Sequence, residues 1–459
     1  MTTHNNFYLL GKAPIPVALL SLGLPTMLGM LINALYNLAD TYFVSGLGTT
    51  PMAAVSVVYP LGQIVVGLGL LFGNGAAAYL SRLLGKGDHT TANTVASTAL
   101  YGSIGIGVLT ICCTLLFLTP ILQQLGALPA MLSDAQAYAT IYVAFSIFNI
   151  FNVAMNNIVS SEGAAKTAMS VLAIGALLNV ALDPLFIYTF KLGVTGAALA
   201  TAFSQILSSI LYIIYILRKK STFHFHLKDC RFTTPILSEI LKIGIPTLLF
   251  QLLTSLSIAM TNDAAKIYGD SAVAALGPVT KILAMGTLMV YGFLKGFQPI
   301  AGFSYGAKNY ARLRKAVQIA LLWSTLFCVV FGGLSLLFSK QLLSLFTATD
   351  ATMLHIGQRA LQLNALSFML FGIYTVYSFL FLVLGKAKEG CFLGSCRQGL
   401  CFVPLIWLLP NCFGLYGVLL AQPIADVLSF IITLCMAERL HRNLRAEEKA
   451  QPLKTPPHL

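Results

Sequence analysis

The chain has 459 residues, of which 57% are hydrophobic and only 9% are charged. Because an average soluble protein is about 25% charged, this composition excludes a soluble globule and predicts a protein that is embedded in a membrane. The net charge of +13 would suit a nucleic-acid partner, but the basic residues lie mostly between the apolar runs, where they indicate membrane topology instead.

Twelve apolar runs follow one another along the chain, each long enough for a helix that crosses the hydrocarbon. None of them alternates in the way that the strands of a membrane barrel do. The sequence therefore predicts an all-α polytopic membrane protein with twelve transmembrane helices, called spans 1 to 12 below. Their predicted centres are Leu28, Val66, Val108, Ile147, Leu178, Leu207, Leu252, Leu288, Phe327, Leu370, Leu400 and Ser429.

Lysine and arginine are concentrated in every second loop between these runs. The basic loops lie before spans 3, 9 and 11, between spans 6 and 7, and after span 12, and they include Arg82, Lys308, Lys386, Arg218 and Arg439. The positive-inside rule then places both termini on the cytoplasmic side of the plasma (inner) membrane.

The two halves of the sequence repeat one another. The segment LGLPTML at residues 22–28 matches IGIPTLL at residues 243–249, an offset of 221 at which Gly85 also matches Gly306. Each half holds six spans, and six is even, so both halves enter the membrane in the same orientation. Two six-helix bundles related by a pseudo-two-fold axis along the membrane normal are therefore expected, which is a transporter architecture with its site between the halves.

The repeat also sets the expected domain boundaries. Residues 1–220 form the N-lobe, residues 221–235 a cytoplasmic linker, residues 236–440 the C-lobe and residues 441–459 a polar tail that is expected to be disordered. Pro25 and Pro246 occupy the same place in spans 1 and 7. Each removes a backbone hydrogen bond, so both are predicted hinge or kink positions.

The segment NVALDPLFIY, residues 179–188, puts polar groups inside span 5. Asn179 and Asp183 are four residues apart and share a helix face, and Pro184 loosens the carbonyls beside them. This arrangement suits a bound cation or proton, although a solvated helix end would also place an acid here. At the offset of 221 the second half has Leu400 and Pro404 in these places, which favours a specialised site that exists once.

Several motifs together carry a family resemblance. The paired LPT and IPT openings, SEGAAKTAM at residues 161–169, NVALDPLFIY, and GFQPIAGFSYGAKN at residues 296–309 resemble the multidrug and toxic compound extrusion (MATE) transporters, in particular their DinF- and MepA-like bacterial branch. The resemblance covers nearly all of residues 10–440. Ser160 and Ser161 precede Glu162-Gly163 where the family often has Arg-Ala, so any role of that Arg is missing here.

The resemblance implies a coupling site in the N-lobe. In the family a span-1 Asp faces a span-5 Asn-x-x-x-Asp, and Asp40, Asn179 and Asp183 match these positions, with Thr201 and Asn156 as less secure polar partners. Carboxylate, amide and hydroxyl oxygens suit Na⁺, held by Asp40, Asn179 and Asp183, while a proton needs no such set. The coupling ion is therefore left as H⁺ or Na⁺, and no cofactor is expected.

A substrate cavity is expected between the lobes, with polar, Met and charged residues as its lining. Lys295 lies well inside span 8 and could face this cavity. The alternatives are that its side chain extends to the membrane–water interface or that it pairs with Asp426 or Asp263. The expected lining residues are Tyr36, Asn33, Tyr59, Tyr138, Met260, Asp263, Met289, Lys295 and Asp426.

The predicted function is a secondary active multidrug efflux antiporter that exports lipophilic, often cationic small molecules in exchange for H⁺ or Na⁺. A flippase for a lipid-linked precursor, from the same broad superfamily, is the alternative that Lys281 and Lys295 keep open. An enzyme is not expected, because the sequence has no nucleotide loop, H-E-x-x-H or G-x-S-x-G motif. The expected partners are small-molecule drugs or metabolites and the lipid bilayer, without nucleic acid, and the chain is expected to function as a monomer.

Overall fold

The computed structural model describes residues 2–125, 127, 129–344 and 351–449. Within these ranges the chain is helical and contains no strand. The N-lobe begins with a short helix, Thr2–Gly11, and its membrane helices surround a core of small and aliphatic side chains. Its further helices are Ile15–Ser45, Thr49–Lys86, His89–Leu116, Leu118–Gln124, Pro129–Ala144, Ser146–Ser161, Ala165–Pro184, the π-helix Leu185–Thr189, and Val194–Leu217.

The C-lobe repeats this order after a linker that carries one 3₁₀ turn, Leu227–Asp229. Its span 11 is interrupted by a π-helix, whereas span 5 of the N-lobe ends in one. The helices of the C-lobe are Thr234–Lys266, Asp270–Gly306, Tyr310–Leu337, Ser339–Ser344, Ala351–Val383, Ala387–Ser395, the π-helix Cys396–Leu400, Phe402–Phe413 and Leu415–Lys449.

The predicted number of membrane spans is confirmed. The described residues include 11 helices that are long and apolar enough to cross a membrane, and a twelfth when Met131–Ala144 and Ser146–Ser161 are taken as one span bent by 49°. The bend lies at Phe145, between the two helices of span 4. Each of the twelve predicted centres lies in the expected helix.

The end of the chain differs from the expectation. A disordered tail was expected from residue 441, but the helix of span 12 continues to Lys449, so this part of the prediction is wrong. The extension is held by the start of span 9, where Tyr310 Oη lies 3.3 Å from Glu447 Oε2 and Arg314 pairs with Glu448. Residues 450–459 lie outside the described residues.

The two-fold relation of the lobes is visible where they touch. A Cβ atom added to Gly306 would lie 2.0 Å from the carbonyl oxygen of Arg82, and one added to Gly85 would lie 2.1 Å from that of Phe303. Residues 82 and 303, like 85 and 306, are separated by the offset of 221, so the same contact is made twice with the lobes exchanged. Backbones can approach this closely only at glycine.

The lobes meet on the side of the molecule that carries the termini and the linker, called the basic side below. Thr26 Oγ1 donates to Gly292 O at 2.6 Å, and Asn74 Nδ2 donates to Thr247 Oγ1 at 3.0 Å. Towards the other side, the large side chains of spans 1, 2 and 7 are exposed instead, among them Leu38 at 56%, Tyr59 at 65% and Leu256 at 48%. The cleft between the lobes is therefore closed on the basic side and opens on the opposite side.

Pro25 and Pro246 lie within continuous helices, Ile15–Ser45 and Thr234–Lys266. The threonine that follows each proline, Thr26 or Thr247, makes one of the bonds across the closed half of the cleft. Each predicted hinge thus sits beside a contact that must break when the lobes separate on the basic side.

A buried carboxyl group fastens the linker to the N-lobe. Glu162, which lies between spans 4 and 5, is 2% exposed. It accepts hydrogen bonds from Tyr215 Oη at 2.8 Å, from Ser221 Oγ at 2.9 Å and from the Thr222 amide at 2.6 Å. Burial raises the pKa of Glu162 from 4.5 to about 7, even though the hydrogen bonds from Tyr215, Thr222 and Ser221 oppose the shift.

This pKa gives the linker attachment an expected pH dependence. Since the folded state holds the proton more tightly than the unfolded state, the stabilisation is fully present below about pH 4.5 and is lost as the pH rises through about 7. Hydrogen exchange of peptides covering residues 218–226, corrected for intrinsic rates, should show protection that falls between pH 5 and pH 8. In Glu162→Gln the protection should no longer depend on pH over this range, and an unchanged profile would contradict the assignment.

Candidate cation-coupling site and central cavity

Span 5 changes its helical form directly after Pro184. The α-helix ends at Pro184 and continues as the π-helix Leu185–Thr189, so the irregular turn follows the proline, whereas the expected loosening was of the carbonyls before it. Tyr188 Oη donates to Phe43 O at 2.6 Å, which ties the π-helix to the end of span 1. Irregular helices buried within the protein are typical of ion sites in transporters.

Asn179 and Asp183 are buried one helical turn apart, 2% and 0% exposed. Asn179 Nδ2 lies 3.5 Å from Asp183 Oδ1 and 3.4 Å from Thr201 Oγ1. Both distances are longer than the usual 2.7–3.2 Å of such hydrogen bonds. The polar atoms of spans 5 and 6 are therefore close together but only weakly bonded to one another.

Three buried oxygen atoms at this place have no hydrogen-bond partner in the described structure: Asp40 Oδ1, Asn179 Oδ1 and Asp183 Oδ2. An unpaired buried acceptor costs roughly 1–3 kcal/mol, and more when it carries charge. The carboxyl groups of Asp40 and Asp183 lie within electrostatic range of each other, so their repulsion adds to this cost. A bound cation or proton would remove both penalties.

The donor set fits a hard cation or a proton. It consists of two carboxylates, one amide oxygen and the hydroxyl of Thr201, and oxygen ligands of this kind are those that hard cations prefer. Within the described ranges no group of three or more His, Cys, Asp or Glu side chains could hold a metal ion.

Asn156 stands apart from these residues. Its Nδ2 lies 3.3 Å from Ala168 O and 3.2 Å from Tyr212 Oη. Ala168 precedes Asn179 by eleven residues of the same helix, a rise of roughly 16 Å. The structure therefore does not bring Asn156 to the coupling set.

The predicted polar lining of the N-lobe gathers around Asp40. Tyr36 and Tyr138 lie within electrostatic range of both Asp40 and Asp183. Tyr138 is buried and stacks on Tyr142 with ring centroids 6.1 Å apart, whereas Tyr59 faces the open cleft. In span 1, Asn33 Oδ1 accepts a hydrogen bond at 2.7 Å from Nδ2 of Asn37, which lies one helical turn further along the chain.

In the C-lobe, Asp426 has a partner that the sequence interpretation missed. Arg397 Nε donates to Asp426 Oδ1 at 2.8 Å, and the guanidinium lies over the Phe371 ring, 4.7 Å from its centroid. Ser367 Oγ and Gln422 Nε2 also donate to the carboxylate, at 2.9 and 2.7 Å. An arginine inside the apolar run of span 11 was the available sequence indication, because charges at membrane depth usually have a buried partner.

Asp263 and Lys295 do not join this ion pair. Asp263 is 81% exposed near the end of span 7 and pairs with Lys266 at 3.4 Å. Lys295 lies at the closed inter-lobe contact, beside a small cavity that is also lined by Asn157 and Gln298. No carboxylate of the described residues forms an ion pair with Lys295, so its proposed pairing with Asp426 or Asp263 is wrong.

The two methionines of the expected cavity, Met260 and Met289, are both half-buried. Met260 packs against a core cluster of the C-lobe that includes Ala265 and Phe402. Of the expected lining in the N-lobe, Tyr36 and Tyr138 lie near the two carboxylates, while the expected lining residues of the C-lobe are spread along that lobe.

Comparison with known proteins agrees with this architecture. The MatE family model matches residues 25–185 and 246–408, one segment in each lobe. Multidrug export protein MepA from Staphylococcus aureus (strain NCTC 8325 / PS 47) is 28% identical over 438 residues, which cover 94% of this chain and 96% of that protein.

Solved structures superpose on nearly the whole chain. One is described as the outward-facing conformation of a multidrug resistance MATE family transporter of the MOP superfamily; it has a TM-score of 0.91 and 27% identity, and the match covers 96% of this chain and 99% of that one. Another is a MOP superfamily transporter from Pyrococcus furiosus Vc1 (DSM3638), described as having a binding pocket of reverse polarity, with a TM-score of 0.90, 27% identity and coverage of 96% and 98%. The chain therefore belongs to the MatE family of membrane transporters.

Proposed function

We propose that this transporter is a secondary active antiporter that exports lipophilic, often cationic small molecules in exchange for H⁺ or Na⁺. The observation that carries the coupling is the group of three unpartnered buried oxygens on Asp40, Asn179 and Asp183. Two carboxylates that repel one another in a buried place provide a binding site for one positive charge, and binding removes the repulsion.

The substrate class is supported by the relatives and by the open cleft. MepA of S. aureus is a multidrug export protein, and one of the superposed structures is a multidrug resistance transporter in an outward-facing conformation. In this chain Tyr59 is 65% exposed on the N-lobe side of the cleft and Tyr36 is half-buried, and their rings could contact a flat lipophilic molecule.

Alternating access would follow from the position of the site relative to the closed half. Asp40 lies fifteen residues beyond Pro25 in one helix, a rise of roughly 22 Å. A change of charge at Asp40 would alter the packing of span 1 above its proline, next to the inter-lobe bond of Thr26. Ion binding would in this way lower the affinity for the drug and bias the lobes between two arrangements.

The orientation is part of the proposal. The excess of lysine and arginine on the basic side supports a cytoplasmic location for both termini and the linker. A single cysteine at Lys219 in a cysteine-free variant should be protected from an impermeant thiol reagent in intact cells, and labelling from outside would reverse the orientation.

The flippase alternative calls for a basic central cavity. The ion pair with Asp426 neutralises Arg397, and Lys295 lies at the closed contact on the basic side. On the N-lobe side the phenol of Tyr59 is exposed and the carboxylates of Asp40 and Asp183 are buried behind the cleft, which suits a cationic substrate and a cationic driver.

Efflux of ethidium from vesicles that contain the purified protein tests the function. Proton and sodium gradients should be applied separately, because only the coupling ion should drive export against the ethidium gradient. Vesicles without protein give the background. Export that needs neither gradient would contradict secondary active antiport.

A further inference from the structure

A long apolar groove lies between spans 7 and 11, outside the site described above. Residues 238–253 form one wall and residues 387–404 the other, and the groove has a volume of about 1090 Å³. Its span-7 wall rises by roughly 22 Å, most of the ~30 Å thickness of a bilayer core. Large apolar side chains are exposed along it, including Ile245 at 51%, Phe392 at 45% and Leu400 at 57%.

The two lysines that line the groove stand near the basic-side ends of its walls. Lys242 pairs with Glu239 at 2.8 Å, but Glu239 is shared with Arg82 at 3.0 Å, so this group keeps a net positive charge. Lys388 is exposed, and no carboxylate of the described residues forms an ion pair with it. An apolar channel with two cations at one end has the polarity of a phospholipid acyl chain below an anionic headgroup.

We propose that the groove binds an anionic phospholipid of the leaflet on the basic side, with the headgroup phosphate between Lys242 and Lys388 and an acyl chain along the apolar walls. A soluble anion would use the lysines but not the groove. A lipophilic cation would use the groove but be repelled by the lysines. Basic pockets between membrane helices recognise acidic headgroups through this combination.

The bound lipid would touch the hinge of the C-lobe. Pro246 is part of the groove wall, one turn from Lys242, and Thr247 next to it holds the inter-lobe bond with Asn74. The site therefore lies where a lipid could bias the arrangement of the lobes without entering the cleft that faces the opposite side.

A single tryptophan placed in the groove wall can report on this site. The chain has two tryptophans, Trp323 and Trp407. The full-length variant Trp323→Phe, Trp407→Phe, Phe392→Trp replaces both and puts one tryptophan at a groove residue that is 45% exposed, one turn beyond Lys388. Its fluorescence can then be measured in bilayers with increasing fractions of phosphatidylglycerol or phosphatidylcholine brominated on the acyl chains, since bromine quenches nearby indole.

Half-maximal quenching should be reached at a roughly fivefold lower fraction of brominated phosphatidylglycerol in the bilayer than of brominated phosphatidylcholine. This is the preference expected when the acidic headgroup gains about one net contact with a lysine. Lys242→Gln with Lys388→Gln should abolish this preference. Lys86→Gln with Lys166→Gln, at two exposed N-lobe lysines, makes the same charge change and should retain it. Ser395→Phe, which fills the groove without changing charge, should also abolish it.

Equal quenching by the two lipids in the starting protein would overturn the proposal. The proposal would also be overturned if the preference for phosphatidylglycerol survived the loss of Lys242 and Lys388, or if it disappeared equally in the N-lobe control. Displacement of the brominated phosphatidylglycerol by ethidium would show instead that the groove belongs to the export route. Because no transport is measured, the result is independent of the coupling ion.

Discussion

The Asp183→Asn variant is expected to lose gradient-driven efflux down to the level of vesicles without protein. The substitution keeps the shape and a hydrogen-bonding amide, but removes one of the two carboxylates that are proposed to hold the coupling ion with Asn179. The measurement is ethidium export from vesicles under the gradient that drives the unmodified protein.

The same variant should fold at least as well as the unmodified protein. Loss of the charge removes the repulsion between positions 40 and 183 and leaves fewer unpaired charged oxygens in the interior. Thermal unfolding should therefore occur at an equal or higher temperature, and ethidium binding without a gradient should survive because the open cleft is unchanged.

Asp263→Asn is the control for this prediction. It makes the same chemical change at a carboxylate that is 81% exposed and pairs with Lys266, so the ion dependence of transport should remain. If Asp183→Asn still pumped ethidium against its gradient with unchanged pH and sodium dependence, the coupling site would not lie at Asp183.

Asp426→Asn is expected to destabilise the C-lobe by roughly 3 kcal/mol, the effect of removing one partner of a buried ion pair. The side chain of Arg397 is 12% exposed, and the variant would leave its charge without a carboxylate. The midpoint of denaturant or thermal unfolding of the purified protein should fall accordingly, with the yield of folded protein reduced.

The double variant Arg397→Met with Asp426→Asn tests whether the unpaired charge of Arg397 causes the loss of stability. It removes both charges and should regain most of the lost stability, because replacement of a buried ion pair by neutral groups is often neutral or stabilising. Equal stability of Asp426→Asn and the unmodified protein would contradict a structural role of the pair. Transport per folded molecule, measured with several substrates, then tells whether Asp426 also contacts the drug.

Local patterns were enough to predict the architecture. Apolar runs of membrane length determine the twelve spans, because hydropathy is a property of residues near one another in the chain. The offset of 221 determines that the halves are parallel, because a repeat of six spans can be recognised by comparing the sequence with itself. The four-residue spacing of Asn179 and Asp183 likewise places both side chains on one helix face. The helical end of span 12 escaped prediction, since its polar residues pair with span 9, far away in sequence.

Only the tertiary structure decided which polar groups meet. Hydropathy and spacing do not fix how helices rotate against one another, so the pairing of Arg397 with Asp426 and the attachment of the linker to Glu162 could not be read from either. Asn156 lies in the expected span but bonds at the level of Ala168. The resemblance predicted that Asp40 faces Asp183. The unpartnered oxygens of Asp40, Asn179 and Asp183 became visible only in the packed structure, because satisfaction of a polar atom depends on every neighbour around it.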